Sequence, residues 1–213
     1  MADWPEYTRF GIGLFALINP FTALPYVLTV SSNFGSKAVL TMAVAATATM
    51  MAVLLTMNFI GEAVLVTLGT SLPSFQIGGG LIILLSGLSM LSDQQASGSA
   101  SVSDSQIDMA HFIKLGIAPL GIPMLAGAGA ITKVIIQTHP EYSATSDIEI
   151  AAIIVADCSI AGVILASSSI LVKLLGVAFF SVMSRVAGLV IVAIAVEIIV
   201  RGIFAHVKNF AGS

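Results

Sequence analysis

The 213-residue chain is 57% hydrophobic and only 9% charged, with a mean hydropathy of +1.05. A soluble domain carries roughly 25% charged residues, so too few charges remain to coat a water-facing surface. The net charge of -3 comes without a basic cluster, which argues against nucleic acid, and the single Cys158 excludes an internal disulfide or a cysteine-rich metal site.

A bilayer core about 30 Å thick takes roughly 20 helical residues to cross, so the chain has room for about six spans in one membrane domain. Six apolar stretches are present, near 8–31, 37–60, 73–92, 112–137, 148–172 and 182–204. They are continuously apolar and too long for strands, and backbone in lipid must bond within its own segment, which leaves helices. The opening MADWPEYTRF holds two acids and one Arg ahead of the first stretch. It reads as the start of a retained helix anchored by Trp4 and Tyr7, not as a basic, cleaved leader.

Within that first stretch lies Asn19-Pro20-Phe21-Thr22-Ala23-Leu24-Pro25. Each proline removes a helix hydrogen bond and crowds a carbonyl, so the pair opens the helix, and Asn19 and Thr22 can satisfy some of the freed groups. The second and third stretches meet at Gly61-Glu62 and a Leu65–Gly69 run. The third carries Gly78-Gly79-Gly80, which reads as close helix packing. The Ser- and Gly-rich segment 93–110 reads as a flexible linker between a repeat at about 8–92 and a second at about 111–206.

The fourth stretch matches the first, with Pro119 and Pro123 around Gly121, and then Gly127-Ala128-Gly129. Leu171–Gly176 echoes Leu65–Gly69, and Arg185–Gly188 echoes Gln76–Gly79 in the same order. Three spans per repeat is odd, so the second copy enters from the opposite face. That gives two inverted three-helix repeats with helices 1 and 4 broken by prolines, an arrangement that recurs in secondary transporters. Both termini then lie on one side, and Lys and Arg are balanced between the two sides, so the positive-inside rule does not decide which.

Unwound backbone at membrane depth survives only inside protein or beside a water-filled cavity. A half-helix N-terminus there attracts anions and freed carbonyls attract cations. The candidate substrate residues are therefore Asn19, Pro20, Thr22, Pro25, Pro119, Gly121, Pro123, Gly127 and Gly129; the alternative for each break is a simple kink. Asp157 falls roughly 14 Å into its helix, near mid-bilayer. A proton- or sodium-coupling role and a neutral, backbone-bonded carboxyl are both open for it. Glu197 is a second coupling candidate, but Arg201 four residues on supplies a structural partner. Lys133 and Arg185 read as snorkelling to the interface. No metal-ligand spacing joins the three histidines, no cofactor motif is present, and the GxSxG, HExxH, Walker and Rossmann signatures are missing, so an enzyme is not expected.

FALINPFTALP, SFQIGGGLIILLSGLSML, IAPLGIPMLAGAGAI and SRVAGLVIVAIAVEIIVRGI, in this order, resemble the first, third, fourth and last helices of the MarC family of bacterial inner-membrane proteins. The resemblance spans nearly the whole chain. It implies six spans, periplasmic termini, and transport like that of the family's SnatA-type carriers of small neutral amino acids. Two positions depart from it: the family usually has Arg where Gln76 stands and Pro where Ala128 stands. The expected partners are thus a neutral amino acid, a coupling proton or sodium ion, and lipid. A non-transporting membrane scaffold and a passive channel are the other classes the sequence leaves open.

Overall fold

Proline and glycine set the boundaries of a chain that is otherwise helical. The computed structural model describes residues 4–67, 69–91, 109–139 and 146–211. Most of the expected 93–110 linker lies outside these residues. In chain order come α1 (Trp4–Ile18), α2 (Pro20–Thr67), α3 (Leu72–Leu91), α4 (Met109–Leu115), an irregular widened stretch Gly116–Leu125, α5 (Ala128–Thr138), α6 (Asp147–Ala166) and α7 (Ser168–Ala211). Among the described residues there is no strand.

Four helical segments are long and apolar enough to cross a membrane: Phe34–Thr67, Leu72–Leu91, Asp147–Ala166 and Ala178–Lys208. The other two expected spans open the two halves of the chain, and each is in pieces. α1 ends at Ile18, and the helix restarts at Pro20 and bends again at Gly35, with φ 78°. α4 gives way to the widened stretch before α5 begins. The boundary expected at Lys173 is replaced by two: α6 ends at Ala166 with Ser167 as its C-cap, and Gly176, with φ 75°, ends a short helical run that includes Lys173. A lysine can stay helical and reach for the interface, whereas a left-handed residue cannot continue the helix.

Large apolar side chains such as Val66, Leu85, Ile148 and Leu174 stand on the outside, as a lipid-facing surface requires. The interior is filled by Phe10, Leu14, Ile18, Met42, Ile83 and Ile150, among others. Several threonine hydroxyls within the spans are satisfied locally. Thr47 and Thr49 donate to carbonyls four residues back at 2.8 Å, and Thr56 does so at 2.7 Å. In lipid that removes the cost of an unpaired donor.

α3 and α7 run antiparallel along a seam of small residues. Pro73, Gly80 and Gly87 recur every seventh position on α3, facing Gly202, Ala195 and Gly188 on α7. A Cβ on Gly87 would lie 3.1 Å from the Gly188 carbonyl, and one on Gly188 would lie 3.1 Å from the Gly87 carbonyl. A Cβ on Gly202 would lie 2.9 Å from the Pro73 carbonyl. Backbones this close gain dispersion contact that lipid cannot match.

One end of the bundle is tied by polar contacts. Gln137 Nε2 donates to Glu6 at 3.0 Å, Tyr7 OH to Glu149 at 2.8 Å, and Asn58 Nδ2 to the Asp147 carbonyl at 3.0 Å. Ser146 and Glu149 form a reciprocal cap on α6 at this end, and α1 begins here, so it is called the terminal end below.

Candidate functional site

The break in the first span follows from Pro20, whose missing N–H leaves a gap in the helical ladder. Asn19 takes a left-handed φ of 38°, which asparagine tolerates better than most residues. Its carbonyl is held from the next turn: Thr22 donates to it through its backbone N–H at 3.2 Å and its hydroxyl at 2.9 Å. Thr22 therefore fixes the break. The side chain of Asn19 is turned inward at 1% exposure, and its Nδ2 meets Met90 Sδ of α3 at 3.4 Å. Its Oδ1 is buried with no hydrogen-bond partner among the described residues. A buried acceptor left unpaired costs roughly 1–3 kcal/mol.

The second break has the same cause, doubled. A residue before proline is pushed out of the α region. Ala118 (φ −138°, ψ 128°) and Ile122 (φ −132°, ψ 126°) are both extended. The ladder is partly recovered one residue wide, as Ala126 N–H donates to the Gly121 carbonyl at 2.9 Å. The chain then turns at Gly127, and α5 begins without a side-chain cap. α6 starts at the terminal end with a reciprocal cap, whereas α5 starts at a half-buried Gly127 and an exposed Ala128, with no side-chain cap. The first amides of such a helix and its dipole together favour an anion.

A seam between α1 and α5 brings these two features side by side. The helices run antiparallel, and glycine on each accepts a long side chain from the other. A Cβ on Gly13 would lie 3.5 Å from Lys133 Cε, and one on Gly129 would lie 3.2 Å from Leu17 Cδ2. The Glu6–Gln137 hydrogen bond continues the seam outward. Inward, the same register carries the end of α1 at Ile18 toward the start of α5. Ile83 of α3 closes the same place, 3.3 Å from the Cβ position of Gly129.

The sequence-derived candidates thus divide. Asn19 and Pro20 follow the end of α1, which packs through Leu17 on Gly129 just past Gly127, with Thr22 fixing the turn. Pro119 is exposed on the periphery. Gly121 packs on α2 instead, its Cβ position 2.9 Å from Thr49 Cβ. Pro25 and Pro123 lie within the broken spans, their side chains outside the described set. Asp157 is buried on α6 against α1, its Oδ2 4.0 Å from the Cβ position of Gly11 and without a hydrogen-bond partner among the described residues. Glu197 is ion-paired to Arg201 and is exposed at the outer face of α7.

Sequence reasoning misses Leu17, Ile83 and Met90 as walls of the site, and it misses Lys133, which is buried rather than interfacial. No local signal marks the three apolar residues, since only tertiary packing brings α3 to the breaks. For Lys133 the signal is the i, i+4 spacing to Gly129, which puts both on one helix face.

The chain is similar along almost its full length to known membrane proteins. The MarC family integral membrane protein model matches residues 4–207. A UPF0056 membrane protein of Pyrococcus abyssi is 31% identical over 192 residues, covering 90% of this chain and 91% of the relative. One of Methanocaldococcus jannaschii is 30% identical over 191 residues, 89% and 92% of the two chains. The UPF0056 membrane protein YhcE of Escherichia coli is 29% identical over 203 residues, 94% and 93%. No solved structure matches. With the match running from the first helix to the last, the chain belongs to the MarC family of integral membrane proteins.

Proposed function

We propose that this protein is a secondary transporter of small neutral amino acids or similar small metabolites, built from two inverted three-helix repeats. The observation that carries the reading is a buried acceptor at one break and a helix start without a side-chain cap at the other. Asn19 Oδ1 is buried with no hydrogen-bond partner among the described residues, and the α1–α5 register points it toward the start of α5, which has no side-chain cap. An α-amino acid offers both complements at once: its ammonium donates to Asn19, and its carboxylate accepts from the first amides of α5. Leu17 and Ile83 pack at Gly129 and Met90 on Asn19, apolar neighbours that suit a small substrate side chain. Neither group needs a full protein charge, which suits a net-neutral substrate.

Two features support the inverted repeat. Gly69 and Gly176 close the matched Leu65–Gly69 and Leu171–Gly176 runs, and both adopt positive φ, 63° and 75°. The helices that follow them, α3 and the long second part of α7, pack antiparallel along the small-residue seam. In this reading Asp157, buried against the same helix that ends at Asn19, is the candidate for the coupling proton or sodium ion. The orientation that the family resemblance implies puts the terminal end in the periplasm.

Uptake into reconstituted vesicles tests the function, using a panel of amino acids under imposed proton and sodium gradients. Accumulation of alanine or glycine above the equilibrium level is the expected result. Gradient-independent equilibration would mark a channel, and no movement of any neutral amino acid by folded protein would end the transporter reading.

A further inference from the structure

Lys133 is a buried ammonium that the proposed site does not yet use. It is 9% exposed and lies two turns into α5, on the face that carries Gly129. Its Nζ sits 6.0 Å from the centre of the Phe10 ring and 4.0 Å from the Cβ position of Gly13. Ile194 of α7 packs at the same glycine, 3.3 Å from that position. These surroundings would suit a leucine or methionine, and burying a cation among them costs several kcal/mol.

Two carboxylates have fields that reach Lys133, those of Glu197 and Glu6, and Arg201 opposes them. Both are already engaged: Glu197 with Arg201, and Glu6 with the Gln137 amide. Among the described residues Lys133 forms no ion pair of its own. Besides those two fields, its ammonium meets the face of Phe10.

Its position along α5 gives this charge a direction. Lys133 lies six residues past Gly127, or about 9 Å along the axis, between the paired breaks and the terminal end. Thr132 and Gln137 are also buried on this short helix. The run from Gly129 through Thr132 and Lys133 to Gln137 is a polar flank leading from the site to the Glu6–Gln137 contact. A lysine head on a flexible four-carbon stem can swing along such a flank.

We propose that Lys133 is a specificity-determining residue, a mobile counter-charge that carries the substrate carboxylate between the terminal end and the uncapped start of α5. It admits ligands with a carboxylate and disfavours amines that lack one. Phe10 holds the ammonium between passages, and the engaged state of Glu6 and Glu197 keeps it available. This inference rests on the transporter reading above, and its test separates the two.

The test compares wild type, Lys133→Met and Lys133→Arg in vesicles, with alanine and its carboxylate-free analogue alaninamide as probes. Wild type is expected to take up alanine and to discriminate against alaninamide. Lys133→Met should raise the KM for alanine by about 10- to 100-fold, the range for losing a charged hydrogen bond. Its kcat should change far less, and its preference over alaninamide should collapse. Lys133→Arg should recover most of the affinity. A Met variant that does not fold is replaced by Lys133→Gln, which keeps length and a polar end. If wild type moves alanine and a folded neutral variant keeps both its KM and its preference, the role of Lys133 is overturned while the transporter stands. If wild type moves neither probe nor any other neutral amino acid, the transporter reading itself is what fails.

Discussion

Replacing Asn19 with leucine separates a binding role from a structural one, because the two make opposite demands on stability. The substitution keeps the branching of the side chain, adds apolar bulk, and removes the buried Oδ1, which has no partner among the described residues. Relief of that acceptor is worth roughly 1–3 kcal/mol. Against it stand the lost Nδ2 contact with Met90 at 3.4 Å, a weak one, the added bulk, which costs roughly 1–3 kcal/mol, and the φ of 38°, which costs a non-asparagine side chain about 1–2 kcal/mol. The terms oppose one another, so Asn19→Leu should fold and unfold in detergent only modestly below wild type. Transport should nevertheless fall to background, since the acceptor for the substrate ammonium is gone. The stabilisation that saturating alanine gives wild type, about 2.7 kcal/mol at one hundred times Kd, should vanish as well. Thermal unfolding with and without alanine, beside vesicle uptake, reads all three quantities. A folded Asn19→Leu protein that transports at the wild-type rate would refute the assignment. A variant that fails to fold would make Asn19 a structural residue.

Three further outcomes follow from the packing and the topology. Gly79→Ala should lower the melting temperature, because its Cβ would lie 2.1 Å from Thr132 Cγ2, whereas Gly78→Ala meets nothing within 4 Å; overpacking of this kind costs roughly 1–3 kcal/mol, and equal stability of the two variants would contradict the α3–α5 approach. Asp157→Asn should fold normally, as the amide keeps the shape of the carboxyl, and should flatten the pH dependence of uptake; an unchanged pH profile would reduce Asp157 to a structural role. With Cys158 replaced, a membrane-impermeant thiol reagent added outside should label Ser213→Cys and spare Ser97→Cys, and the reverse pattern would overturn the orientation.

Much of this architecture can be read along the chain because lipid leaves few options. Continuous apolar runs have to be helices, and the prolines have to interrupt the first and fourth of them. The pre-proline rule accounts for the extended Ala118 and Ile122, and Asn19 is a residue that accepts positive φ. Sequence alone measures height in the membrane, however, and says little about which way a side chain faces. That is why the spacing of the prolines groups Pro119 with the site although it is exposed, and Gly121 although it packs on Thr49. Lys133 goes the other way: its height suggests the interface, but Gly13 and Phe10 of α1 bury it. The Glu197–Arg201 pair is legible because it is local, four residues apart on one helix. The walls at Leu17, Ile83 and Met90 are not, since three separate helices meet there. The boundary at Gly176 escapes a reading that sets polarity at Lys173 above the backbone freedom of glycine.

The central claim is that the paired breaks hold one amino acid between Asn19 and the start of α5. An experimental structure of the protein bound to alanine in lipid tests it most directly. The account predicts the ligand carboxylate on the amides following Gly127 and its ammonium on Asn19 Oδ1, with its methyl group toward Leu17 and Ile83. Alanine bound elsewhere, or these amides and Asn19 Oδ1 satisfied by the protein itself while alanine is bound, would contradict it.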